Sequence, residues 1–187
     1  MTLTLKQQAS IASREKILAA AAEVITQHGT TGFTLDAVAR QAGISKGGLL
    51  HHFASKEALL EGLLTQLFDQ FSRAVASYYE RETDAPGRWL RAYVRATFDA
   101  EAIPLEISAA MLAGIIESEH IHEMIALDTR SWTAVLTGDG LTWARVQAVR
   151  MACDGLWTEG LVNQPLSEGE RAALRDELLT IAGAQSS

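Results

Sequence analysis

Residues 34–53 read TLDAVARQAGISKGGLLHHF, and the punctuation of that segment leaves few folds open. Thr34 is a helix-capping residue, and Gly43 is placed to end the helix that Thr34 starts, since glycine enters a left-handed turn without steric cost. Ile44 then supplies one apolar anchor, and Ser45 caps a second helix that begins Lys46-Gly47-Gly48. Two short helices joined by a tight glycine turn make a helix-turn-helix. The second one opens with small, cationic and hydroxylated residues. Such a helix end fits a DNA major groove.

The flanking chain also reads as helix. It has only 3 prolines in 187 residues and is 48% apolar, and the expected fold class is all-α, with about nine helices and no strand. A first helix is predicted from about Ser13 to His28, with Ile11, Leu18, Ala21, Ala22 and Ile25 on one face and Gly29 at its end. Phe33, Val38, Ala39, Leu49 and Phe53 are the expected core of a three-helix head over 1–55. Three short helices bury too little to stand alone. Support is predicted from a long helix capped at Ser55-Lys56-Glu57, whose stripe of Leu59, Leu60, Leu63, Leu64, Leu67, Phe68, Phe71 and Val75 runs to about Glu82.

Beyond it, a helical body over 56–187 divides at clear breaks. Asp84-Ala85-Pro86-Gly87 opens one helix, Pro104 is a first-turn proline opening another, and a third runs from about Glu119 to Leu136. A long segment from Leu141 to Val162 follows Gly138-Asp139-Gly140, and Ser167-Glu168-Gly169-Glu170 is a capping box for the last helix.

Charge is divided between these parts. The net charge is −7, yet residues 1–56 hold six basic against three acidic groups, a net of +3, and the remainder carries −10. A basic head on an acidic body can deliver that head to phosphates. One cysteine, Cys153, allows no internal disulfide framework. With a polar N-terminus and no apolar run near the ~20 residues of a membrane span, the expected location is cytoplasmic.

The segment ISKGGLLHHFASKEALL, flanked by REKILAAAAEVITQHG and TGFTLDAVARQAG, resembles the signature of the TetR/AcrR family of bacterial transcriptional repressors. The motif covers residues 13–65, and the remainder agrees in length and helix count. The resemblance implies a DNA-binding head formed by Thr34, Ser45, Lys46, Gly47, Gly48, Leu50, His51, His52 and Lys56. Thr34 and Ser45 offer hydroxyls and helix N-termini to phosphate, Lys46 a cation, and the glycines a close backbone approach. There is one departure: many relatives hold a phosphate-gripping tyrosine where Leu50 stands, and a threonine or alanine at Gly48. Leu50 can instead touch a thymine methyl.

The same resemblance implies a small-molecule pocket in the body and control of two DNA-binding heads by the ligand. Candidate lining residues are Trp89, Tyr93, Phe98, Met111, Ile115, Trp132, Met151, Asp154 and Trp157, although aromatic and methionine residues at helical spacing are usually plain core. Asp154 sits on an otherwise apolar helix, where it either pairs with Arg150 one turn back or awaits an amine or quaternary cation beside tryptophans. The stretch DGLWTEGLV is similar to the C-terminal region of choline-responsive and some multidrug-responsive repressors. A homodimer is expected through Gly155, Leu156, Gly160, Leu161, Leu174, Leu178, Leu179 and Ile181 on the last two long helices, because a twofold DNA site requires two heads.

Other classes fit less well. Ser13-Arg14-Glu15-Lys16 matches S-x-x-K only in letters, and Cys153 has no histidine at suggestive spacing, so an enzyme is not expected. His120 and His122 are two residues apart and point to opposite sides of a helix, so no metal or other cofactor is expected. The alternatives are a helical adaptor without DNA binding, or a TetR-like activator or corepressor-dependent regulator.

Overall fold

The computed structural model describes residues 4–99, 118–162 and 166–183, with 157–162 as helix backbone only. The described residues form α1 (Leu5–Gly32), α2 (Leu35–Ala42), α3 (Lys46–His52), α4 (Lys56–Arg81), α5 (Arg88–Phe98), α6 (Glu119–Thr137), α7 (Trp143–Val162) and α8 (Glu168–Ile181). Among them the fold is all-α, as expected. The helix predicted to open at Pro104 lies outside the described residues.

Local sequence explains most helix ends. Thr34, Ser45, Ser55 and Ser167 each accept from a backbone N–H three residues on, at 3.2, 3.1, 3.0 and 3.3 Å. Gly43 takes φ +66°, and the N–H of Ile44 reaches back to the Ala39 carbonyl at 3.0 Å. That is the left-handed stop the turn between α2 and α3 requires.

Helix α1 starts earlier than periodicity predicts. A capping box of Thr4 and Gln7 begins it eight residues or more before the apolar face does. Ile11 lies exposed in these extra turns, and the buried face is Ile17, Leu18, Ala20, Ala21, Val24 and Ile25. Gly29, at φ +65°, breaks the helix where expected.

Two cores divide the molecule. The head core joins α1, α2 and α3 through Val24, Phe33, Val38, Leu49 and Phe53 to Leu59, Leu60, Leu63, Leu64 and Leu67 of α4 and Ile121 of α6. The body core joins Phe71 and Val75 of α4 to Leu90, Tyr93 and Val94 of α5, Leu136 of α6, Val146, Val149 and Cys153 of α7, and Leu178 and Leu179 of α8. The expected boundary at residue 55 falls beside residues that share one core, because the head borrows the start of α4 to bury its apolar surface. Helices α4 and α6 contribute to both cores. At 26 residues, α4 is about 39 Å long at 1.5 Å per residue.

Polar contacts fix the body's corners. Helix α5 begins after Gly87, which has no side chain to cap it, so Asp139 from the α6–α7 turn accepts from Trp89 N at 2.5 Å and Leu90 N at 3.3 Å. Arg91 is buried and donates to Glu82 at 2.9 Å and to the carbonyls of Thr83, Pro86 and Ala182 at 2.8, 2.9 and 3.4 Å. Arg95 also pairs with Glu82. Burial opposes ionisation of Glu82, but the hydrogen bonds from Arg95 and Arg91 win and hold its carboxyl below the usual range.

Candidate nucleic-acid interface and effector site

The outer end of the head is polar and open. Thr34 and Ser45 are exposed caps, and Lys46 stands half in water at the start of α3, with its Nζ 2.8 Å from Asp36 Oδ2. The sequence does not anticipate this ion pair; Lys46 must leave Asp36, or share it, to meet a phosphate. A side chain added at Gly47 would meet only the Ser45 hydroxyl at 4.0 Å, and one at Gly48 the same hydroxyl at 3.3 Å. Internal packing therefore does not demand Gly47. Leu50 is 39% exposed, His51 is exposed and His52 half-buried, and the two histidine rings meet edge-on at 5.4 Å. Lys56 lies over the Phe33 ring at 5.6 Å. Arg14, absent from the expected set, lies 4.0 Å over the Phe53 ring and donates to the His52 carbonyl at 3.2 Å, which ties α1 to the end of α3.

All nine expected residues thus lie on α3 or at the N-terminal ends of α2, α3 and α4. Caps, cations and backbone amides at helix N-termini are suited to phosphate oxygens.

In the body, three expected residues come together and others do not. Tyr93 and Trp132 pack edge-to-face at 5.3 Å, and Phe71 of α4 meets both, at 5.1 and 5.7 Å. Tyr93 donates its hydroxyl to Asp154 Oδ1 at 3.0 Å. Arg150 pairs with the other oxygen of Asp154, the local pairing that one-turn spacing allows.

Trp89 is elsewhere: it stacks on Tyr79 at 3.9 Å, with Arg88 on that ring at 4.1 Å. Phe98 lies at the far end of α5 beneath Arg171, 5.6 Å away. Met151 is 60% exposed, because α7 turns Val149, Arg150 and Cys153 inward and Met151 out. These three do not join the aromatic cluster. Met111 and Ile115 lie outside the described residues, as does the side chain of Trp157.

Two residues beside the cluster are not among the expected ones. Asp128 is half-buried on α6, one turn before Trp132. Its carboxyl is pushed up to about 6, first by burial and then by the charge of Asp154. The signal was an acid between Leu127 and Trp132 at helical spacing, hidden by the exposed residues around it. Gln147 is the other: it accepts from Arg150 at 3.0 and 3.3 Å, leaving its buried Nε2 without an acceptor among the described residues. Burial also raises Asp154, against the opposing pull of Arg150 and Tyr93. Tyr93 is raised well above the usual phenol range by burial and by the Asp154 charge. Cys153 is fully buried as a small hydrophobe, and burial pushes its thiol up to about 12. It is no nucleophile at neutral pH.

The expected dimer face divides too. Leu178 and Leu179 are only 4% and 7% exposed and belong to the body core, against which Leu174 and Ile181 also pack. These four positions already serve the chain itself. Gly155 is exposed with open space around it, and Leu156 is half-buried. The side chains at Leu161 and the surroundings of Gly160 lie outside the described residues.

A helix-turn-helix head with an exposed α3, carried by α4 on a helical body, defines a DNA-binding regulator of transcription. The sequence relationships agree. The family described as "Bacterial regulatory proteins, tetR family" matches residues 17–63, and "Tetracyclin repressor-like, C-terminal domain" matches residues 87–183. The chain belongs to the TetR family of transcriptional regulators, which are not enzymes. It is 32% identical over 173 residues to the HTH-type transcriptional regulator BetI of Paraburkholderia phytofirmans, covering 87% of this chain and 88% of that one. Its fold is similar to that of a transcriptional regulator of Pseudomonas aeruginosa, with TM-score 0.73 at 20% identity over 91% of each chain. It is also similar to the multidrug binding protein EbrR, solved with malachite green, with TM-score 0.68 at 21% identity over 90% of this chain and 96% of that one. Among the described residues no helix is long and apolar enough to cross a membrane.

Proposed function

We propose that this TetR-family regulator is a homodimeric repressor that binds a near-palindromic operator and is released by a small-molecule inducer, cationic or aromatic in character. The observation that carries the operator reading is the start of α3. Ser45, Lys46 and Gly47 are exposed there, and a side chain at Gly47 would meet nothing of the chain closer than 4.0 Å. A residue left small without an internal steric reason fits close approach by an outside surface, here the duplex backbone and base edges.

Dimerisation is supported by the outer side of α7, where Trp143 and Met151 are 63% and 60% exposed beside the open Gly155. Large apolar groups left in water on one helix fit a covered interface. With Leu178 and Leu179 assigned to the core, α7 becomes the principal contact helix and α8 its flank. The inducer reading rests on the cluster of Phe71, Tyr93, Trp132 and Asp154. A body of this fold accepts malachite green in EbrR.

The test is operator selection from a random duplex library, followed by gel shifts with Lys46→Ala/Gly47→Glu. The expected result is one twofold sequence whose binding falls at least ~100-fold in the double variant, since a cation is lost and a carboxylate is added at the next residue. Shifts that persist unchanged in the variant would remove the assignment. Thermal-shift profiles of the variant should match the parent, because neither residue packs in the core.

A further inference from the structure

Which carboxylate meets a cationic effector depends on what already holds each one. Asp154 is engaged on both oxygens, by Arg150 and by the Tyr93 hydroxyl. Asp128 has no hydrogen bond or ion pair among the described residues, although it is half-buried and close enough to Asp154 to feel its charge. A half-buried carboxylate with no partner of its own, one turn from an aromatic cluster, is unfavourable, and a cation relieves it. Charge also sets the valence. Asp128, Asp154 and Arg150, all ionised, sum to one negative charge, which one monocation neutralises.

Resting on the inducer reading above, we propose that Asp128 is the counter-ion of the effector, which is a monocationic amine or quaternary ammonium with an apolar body seated against Trp132 and its aromatic neighbours. Asp154, the carboxylate the sequence singles out, is a positioning residue: it holds the Tyr93 hydroxyl and Arg150 in place. Trp132 lies one turn beyond Asp128, and an indole face is the best aromatic partner for a cation. Placing the charge on α6 also gives the signal a route. Ile121, Met124 and Ile125 of that helix pack in the head core, and its start is tied to α4 through Ser118–Glu57 and His120–Glu61. A cation drawing Asp128 inward therefore favours one setting of a helix that the head also feels.

Equilibrium dialysis with the full chain tests this, using benzyltrimethylammonium and its uncharged carbon isostere neopentylbenzene. The parent should bind the cation at least ~10-fold more tightly than the isostere, the size of one charge-assisted contact. Asp128→Asn should erase that preference and leave isostere binding within about twofold. Asp154→Asn should weaken both probes, because it loosens Tyr93, and should still keep a preference for the cation that Asp128→Asn lacks, because the unpartnered counter-ion remains. No preference in the parent, a preference surviving in Asp128→Asn, or a preference lost only in Asp154→Asn overturns the assignment. Should Asp128→Asn melt below the parent, Asp128→Glu serves instead: it keeps the charge and must keep the preference, and loss of preference there also overturns it. Operator release by the same cation is read separately. Binding through Asp128 without release leaves this site standing and removes the inducer reading, whereas release that persists in Asp128→Asn removes only the site.

Discussion

In the head, Thr34, Ser45, Lys46, His51 and Lys56 stand in water at helix ends, whereas in the body Tyr93, Asp128, Arg150 and Asp154 are buried or half-buried between three helices. Head residues are set by neighbours three or four positions away in sequence: a cap, a glycine stop, a first-turn lysine. Body residues are set by partners far along the chain, such as Tyr93 with Asp154, or Asp139 with the start of α5. The difference teaches that a DNA-reading end can be built from local rules, while an effector site must be assembled from packed helices whose polar groups satisfy or strain one another.

The strongest challenge to that contrast is Arg91→Ala. Arg91 joins Glu82, the α4–α5 turn and the end of α8. Its removal leaves Glu82 with one partner and four carbonyls with less, and should cost about 3–5 kcal/mol, with the melting temperature falling by about 10 °C. An unchanged melting curve would mean that the body's polar groups are as replaceable as surface ones.

A smaller effect comes from Asp128 and pH. Its folded carboxyl titrates near 6 against the ordinary 3.8, so the unfolded chain releases that proton first. Stability from this group is fully present below about pH 4, falls as pH rises to about 6, and stays low above. The groups around it, Asp154, Arg150 and Tyr93, remain in Asp128→Asn. That variant should match the parent in melting temperature at pH 4 and exceed it by ~2–5 °C at pH 7. A constant gap across this range would show that Asp128 is not the strained group.

The smallest expected effect sharpens the head. Leu50 is exposed on α3, and a tyrosine there would carry a hydroxyl to the same surface. Leu50→Tyr should tighten operator binding about fivefold, the worth of one hydrogen bond to phosphate, with no change in melting temperature. Weaker binding would mean that Leu50 makes an apolar base contact.

Much of this was legible in the sequence because its rules are local. The segment from Thr34 to Phe53 carries its own caps and stop, and the structure keeps α2 and α3 within the bounds expected for them. Ser167 and Glu170 likewise form the capping box read from their letters. Helical spacing gives a face but not its neighbour. Trp89 and Tyr93 lie four apart on α5, yet one stacks on Tyr79 and the other meets Trp132. Met151 and Asp154 are three apart on α7, yet one is in water and the other in the cluster. Leu178 and Leu179 read as a free apolar face until the body core claims them.

The sequence by itself determined the helical class and the helix-turn-helix head, because caps, glycines and apolar periodicity act within a turn or two of chain. Only the tertiary structure decided which carboxylate is held and which is strained. That choice depends on Arg150 and Tyr93 meeting Asp154 across two helices while Asp128, half-buried on a third, has no such partner among the described residues.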